Sequence, residues 1–404
     1  MPDGGVSPDL RERGGDGVLL ELLAQHVQEF SARFGAVPTR RFFSPGRVNL
    51  MGAHLDYNGG PVMPMALDRG TFLALRPRND GRLNCASTLE GETLSTRLDD
   101  LPREPSGKWF DYPLGVVRQL LEDGPSGLGV DVLFGGNLPI GAGLSSSASI
   151  CVGTAFALRT LWERESDPLA CIRAALAGER QWVGVQCGIM DPYAVALSRP
   201  GHVLWLDCKD ARYEHLPFDT RSLVVAVADS GVRRELAKGD FNRRVAECQE
   251  AFARLRVRDP SARVLCDVAA ETVEAATSEL GPLLTRRARH VAGETARTRA
   301  ARSAILRGDL VTFGQCINAT HVSLRELYEV SVPELDCLAQ SAQEFPGVLG
   351  ARLTGAGFGG CVVIVVPRAR SAGLAEHLQH AFEGQFGRRP PVFFFRGDPG
   401  PREL

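Results

Sequence analysis

The sequence predicts an α+β protein with room for two lobes. Helical patterns and short β-type runs alternate along the chain. Its 404 residues also exceed what one hydrophobic core serves, since single cores stop growing at about 250–300 residues. A third observation is a segment at 137–149 where glycines and hydroxyls stand at the point where a loop should become a helix.

In chain order, residues 1–17 are rich in glycine and aspartate and read as a flexible arm. Leu19 to Phe34 has apolar residues at helical spacing, and Phe72 to Arg76 and Val130 to Phe134 read as strands. Ile150 to Leu161 continues as a helix after the serine cluster. Val203 to Leu206 and Leu223 to Ala228 are β-type runs, with a composition shift near Leu216-Pro217 that divides an N-terminal lobe, 18–216, from a C-terminal lobe, 217–404. Helical patterns then cover Arg234 to Leu255 and Val268 to Ala276. The Arg- and Ala-rich stretch 286–307 reads as a solvated helix face, because no aromatics are interleaved with its charges. The Gly397-Asp-Pro-Gly-Pro tail reads as a second loose segment.

Forty-six basic and 48 acidic side chains leave a formal net charge of −2, which gives no global footprint for nucleic acid or an anionic membrane. No apolar run approaches the roughly 18–20 residues that span a bilayer. Ten cysteines are scattered singly, without a C-x-x-C pair, as suits a reduced, cytoplasmic protein. Cys187 and Cys361 read as small buried hydrophobes.

Three segments carry chemistry. In Asn137-Leu-Pro-Ile-Gly-Ala-Gly-Leu-Ser-Ser-Ser-Ala-Ser149, Gly141 and Gly143 let the backbone approach a ligand. Ser145, Ser146 and Ser147 open a helix whose unpaired N–H groups favour an anion, so Gly141, Ala142, Gly143, Leu144 and the three serines form a candidate phosphate cradle. In Ser44-Pro-Gly-Arg-Val-Asn-Leu-Met-Gly-Ala-His-Leu-Asp-Tyr-Asn-Gly-Gly60, Asp56 can accept bonds from paired hydroxyls, His54 can donate or accept, and Arg47 brings a permanent charge. The same loop also fits a turn in which Asp56 only organises Asn58 and Gly59. The third segment, Leu353-Thr-Gly-Ala-Gly-Phe-Gly-Gly-Cys361, contains a formal G-x-G-x-x-G, but it runs into the β-rich Cys361 to Val366 and so lacks the strand-turn-helix context of a dinucleotide site.

Together these segments, with Gly184-Val-Gln-Cys-Gly-Ile-Met-Asp191 and the stretch His321 to Leu335, resemble the galactokinase branch of the GHMP small-molecule kinases from about Phe43 to Val366. The resemblance implies a two-lobed fold with mixed sheets, a cleft between the lobes, and a strand-helix-strand crossover of the less usual, left-handed kind. It implies ATP and Mg2+ as cofactors and phosphorylation of a galactose-configured sugar at its anomeric hydroxyl. Asp191 matches the family's catalytic aspartate and Arg47 the arginine beside it; Ser147 and Glu179 match its magnesium ligands; Ala53, His54, Asp56, Phe241, Gly355 and Gly357 fall in its sugar site. The partners are then a small sugar and ATP, with no nucleic acid or membrane, on a monomer or weak dimer.

Two departures stand out. Galactokinases usually carry glutamate before the sugar-loop histidine, where it binds the hydroxyl on carbon six, and Ala53 stands at this place. Phe241 matches a tyrosine whose hydroxyl approaches the sugar. The Gly52-Ala53-His54 pattern is similar to that of galacturonate kinases, and L-arabinose, which has no carbon six, also fits the loss. A non-catalytic sugar sensor of the same family is a reading from another class.

Overall fold

The structure is a computed structural model that describes residues 16–122, 124, 128–139, 143–165, 167–185, 187–233 and 237–404. Gly141 and Ala142 of the predicted cradle, and the arm up to residue 15, lie outside the described residues. The first helix, α1, spans Asp16–Phe34, so residues 16 and 17 belong to it rather than to the arm. Leu22, His26 and Phe30, four apart, form its buried stripe.

Six strands make the first sheet, in the order β13-β1-β3-β6-β4-β5. They are β1 (Arg40–Asn49), β3 (Pro64–Arg78), β4 (Arg82–Ser87), β5 (Leu94–Arg97), β6 (Gly129–Gly136) and β13 (Arg402–Glu403). Only β4 and β6 run parallel, and the helix α2 (Asp111–Glu122) lies between them in sequence. With α3 (Ser146–Leu161), α4 (Pro168–Ala177) and α5 (Met190–Ala196) it covers a core that includes Phe42, Leu73, Val132, Leu114, Val117 and Leu158. The helix α1 packs separately, on β3 and β6.

A small sheet of β2 (Pro61–Val62), β7 (His202–Asp207) and β8 (Arg212–Pro217) follows, and the composition shift at Leu216-Pro217 coincides with the end of β8. The last sheet, in the order β10-β11-β9-β12, joins β9 (Leu223–Asp229), β10 (Gly350–Thr354), β11 (Cys361–Pro367) and β12 (Val392–Phe395), all antiparallel. Around it lie α6 (Ala237–Leu255), α7 (Ala270–Ala275), α8 (Thr277–Leu306), α9 (Leu310–Ser323), α10 (Pro333–Glu344) and α11 (Leu374–Phe386). The predicted helix at 268–276 is shorter, and Pro282 follows a kink at Gly281 near the start of α8.

The C-terminal tail is a correction to the sequence reading. Gly397 bridges Leu67, the Asp398 N–H donates to the Ala66 carbonyl, and Arg402–Glu403 adds an edge strand to β1. The cause is a set of pairings that composition does not show: Arg402 donates to the buried Asp398 at 2.8 Å and lies over the Phe43 ring, while Glu403 accepts from Arg40 at 2.7 Å.

Candidate active site

The site begins with a break in a ladder. The pairing of β1 with β3 shifts between Pro45 and Arg47, and a Cβ on Gly46 would stand 2.8 Å from the Leu144 carbonyl. That bulge lets the cradle close on β1, where the Arg47 N–H donates to the same carbonyl at 3.1 Å, and it re-aims the Arg47 side chain. Arg47 then donates from Nε and Nη2 to the two carboxylate oxygens of Asp191, each at 2.7 Å, and from Nη1 to the Gly143 carbonyl at 2.7 Å. Asp191 sits in the first turn of α5. Such a fork fixes the plane of the carboxylate as well as its charge.

Gly143 and Ser145 both adopt left-handed backbone, φ 69° and 58°, immediately before α3. Ser145 holds the helix-capping position, yet its hydroxyl donates to Asp191 and accepts no capping bond from the helix N–H groups. Ser149, one turn further, is buried and ties α3 to β1 and β3 through the Ser44 carbonyl, the Thr71 hydroxyl and the Thr71 N–H. The cradle borders a cavity of about 670 Å³, lined also by Arg47, Gly70, Gly355 and Ala356. Its far wall is Leu89, Trp109, Tyr112 and Phe134, which sequence reasoning missed. A tryptophan directly after the polar stretch 102–108 was the available signal. A largely apolar cavity of this size, with the start of α3 at one end, suits a nucleotide.

Glu179 enters from a π-helical turn, Gly178–Val183, that continues α4. Gly178 permits the close approach of α2 to the turn: a Cβ there would stand 2.9 Å from the Val116 nitrogen. Glu179 is buried, and burial raises its carboxyl to about 7 despite a hydrogen bond from Ser147. Cys187, 3.8 Å away, is half-buried and forced up to about 11 by burial. It lies beside the carboxylate, not within an apolar core as the sequence suggested, whereas Cys361 is buried as expected.

Asp56 opens a short 3-10 turn, its carboxylate held by the Tyr57 N–H; burial and then the charge of Asp191 raise it to about 6. A Cβ on Gly188 would stand 2.3 Å from its Oδ2, so the loop leading to Asp191 closes directly over Asp56. Ala53 and His54 are buried. His54, in left-handed backbone at φ 60°, bonds through Nδ1 to the Tyr57 hydroxyl, which bonds to that of Tyr328. The Phe241 ring is 6.1 Å from His54 and 5.4 Å from Tyr57, centre to centre. Gly355 lines the cavity, while Gly357 is packed on the Val330 carbonyl, 2.4 Å from where its Cβ would stand.

Sequence comparison identifies the family. A galactokinase galactose-binding signature matches residues 28–77, a GHMP kinase N-terminal domain 111–199, and a GHMP kinase C-terminal domain 301–384. A galactokinase of Enterococcus faecalis is 39% identical over 388 residues, covering 95% of this chain and 99% of its own. The chain belongs to the galactokinase family. A galactokinase of Chloroflexus aurantiacus is 42% identical over 339 residues, 83% of this chain and 86% of that one.

Among solved structures, Lactococcus lactis galactokinase complexed with galactose superposes with a TM-score of 0.89 at 32% identity, covering 95% of this chain and all of that one. Methanococcus jannaschii mevalonate kinase, at a TM-score of 0.65 and 18% identity over 89% and 98% of the chains, shares the fold alone. As a member of the galactokinase family the chain is an ATP-dependent sugar kinase acting on the anomeric hydroxyl of a galactose-configured sugar. No helix among the described residues is long and apolar enough to cross a membrane.

Proposed function

We propose that the sugar is galactose, that Asp191 accepts the proton of its C1 hydroxyl, and that Arg47 orients Asp191 and offsets charge gathering on the transferring phosphoryl group. The observation that carries this is the Arg47–Asp191 fork at the mouth of the cradle, with Asp56 against it. The transition state of phosphoryl transfer is loose, so positioning and electrostatics matter more than proton removal, and Arg47 counts as much as Asp191. Asp56 and His54 hold ring hydroxyls, and the cradle from Gly143 to Ser147 receives the phosphates.

Ser147 and Glu179 are the side chains for Mg2+, which when bound neutralises phosphate charge. Their chemistry fits: Glu179 is a buried carboxylate whose pKa burial raises to about 7, with the Ser147 hydroxyl beside it and only the more distant charge of Arg180 to offset that burial, so a bound cation would favour its ionised form. No group of three candidate ligands exists among the described residues, as suits a hard ion held largely by nucleotide oxygens. Ten free thiols agree with a reduced, cytoplasmic setting.

Ala53 and Phe241 favour a second reading, L-arabinose or galacturonate, because Ala53 offers no anionic acceptor for a hydroxyl on carbon six and Phe241 lacks the hydroxyl that approaches the sugar. An ADP-release assay across galactose, galacturonate and L-arabinose decides. Turnover greatest with galactose supports the proposal, turnover greatest with another sugar replaces it, and saturable binding without turnover makes the chain a sensor. Ala53→Glu should move the galactose-to-galacturonate ratio of kcat/KM toward galactose; a constant ratio would remove the loop from sugar choice.

A further inference from the structure

The sugar loop is held from behind by a helix of the other lobe. Glu294, on α8, is fully buried and both of its oxygens are in use. Its Oε1 accepts from the N–H groups of Gly52 and Ala53, each at 3.0 Å. Its Oε2 accepts from Arg297 Nε at 2.9 Å and from the Thr320 hydroxyl of α9 at 2.7 Å. One turn earlier, His290 Nε2 lies 3.2 Å from the Ala53 carbonyl and its Nδ1 2.9 Å from the Ser323 hydroxyl. Burial holds that imidazole neutral, with its pKa lowered to about 3, so its one N–H serves the carbonyl and Nδ1 accepts from Ser323.

The Ala53 peptide is therefore gripped at both ends. The grip falls on an unusual turn: Gly52 takes φ 85° at a point where a Cβ would stand 2.3 Å from the Pro61 carbonyl, which glycine alone permits, and His54 adopts left-handed backbone although it is not glycine. Such conformations persist only where surrounding bonds over-determine them. A second path closes on the same residue, because the His290 ring packs on Tyr328 at 4.3 Å and Tyr328 reaches His54 through Tyr57. We infer that Glu294 and His290 are positioning residues that hold the strained Gly52-Ala53-His54 turn, so that His54 and Asp56 meet the sugar in a fixed geometry without either residue touching it.

This inference rests on the sugar loop binding substrate, and the test separates the two. In Glu294→Gln, losing the charge on bonds to two backbone N–H groups should raise the sugar KM about tenfold, with the ATP KM within about twofold. Amide exchange at residues 52–56 should accelerate by a similar factor, while α3 and the cradle stay protected. Thr320→Val, which removes one support of the carboxylate, should move both readouts in the same direction by about threefold, and decides the matter if the glutamine variant does not fold. Native-like exchange at 52–56 together with an unchanged sugar KM would overturn the inference. So would both KM values rising together with a fall in thermal midpoint, which marks a merely structural residue. If the native enzyme turns over none of the sugars, the reading of the substrate fails, and amide exchange still judges the clamp.

Discussion

Asp191 lies within hydrogen-bond reach of a guanidinium fork and a serine hydroxyl, and each holds its oxygens in place. Asp191→Asn should therefore leave ATP binding near normal and lower kcat by roughly 10²–10⁴-fold, well beyond any loss of sugar affinity. Single-turnover kinetics beside equilibrium sugar binding check this, and an unchanged kcat would take Asp191 out of the chemistry. Asp56 adds a pH dependence. Its carboxyl stands at about 6 in the fold against an ordinary 3.8, so the neutral acid is favoured on folding. That contribution is complete below 3.8 and lost as pH rises through about 6. Asp56→Asn should thus stabilise the sugar-free protein at pH 8, by at most about 3 kcal/mol, and weaken sugar binding. In the native protein, sugar affinity measured without nucleotide should fall as pH drops below about 6. A flat profile would mean that Asp56 does not meet the sugar as a carboxylate.

At the scale of elements, the active site depends on places where regular structure is interrupted. The bulge in β1 aims Arg47, the left-handed residues before α3 shape the cradle, and the π turn after α4 presents Glu179. The last of these is bought with two glycines in close approach: a Cβ on Gly115 would stand 2.8 Å from the Gly178 Cα, and one on Gly178 would meet the backbone of α2. Gly178→Ala should cost about 1–3 kcal/mol by overpacking and displace Glu179, lowering activity further than stability. Urea unfolding and turnover measured on the same preparation test this, and native-like values for both would show that α2 can give way. Such interruptions were only partly legible. The glycines and serines at 141–147 announced a loop becoming a helix, but nothing in periodicity marks a π turn, and Glu179 reads from the sequence alone as an exposed helical residue.

Across the molecule, the two lobes share one apolar layer. Val48, Leu50 and Met63 from the first pack in the same cluster as Val225, Val227, Val363 and Phe313 from the second. Arg352, buried on β10, donates to the carbonyls of Asn49 and Leu50, and the C-terminal strand returns to the edge of β1. Residues counted with the C-terminal lobe thus complete the N-terminal sheet. Deletion of residues 397–404 should remove the Arg40–Glu403 pair and the bond from the Asp398 N–H to Ala66, and bare the edge of β1, lowering stability on the order of 2 kcal/mol. Differential scanning fluorimetry reads this directly; an unchanged midpoint would restore the tail to a loose segment.

By itself the sequence determined the α+β class and offered a candidate cradle at 141–147 and the candidacy of Arg47 and Asp56, because hydrophobic periodicity, glycine and capping chemistry act over a few residues, whereas Asp191 was a candidate only through the family resemblance. Only the tertiary structure decided that Arg47 forks onto a carboxylate 144 positions away, that Trp109 and Tyr112 wall the cavity, that Glu294 reaches the sugar loop from α8, and that the tail is a strand. Those contacts join segments far apart along the chain, and a side chain's partner across such a distance is set by how the core packs, which no local pattern encodes.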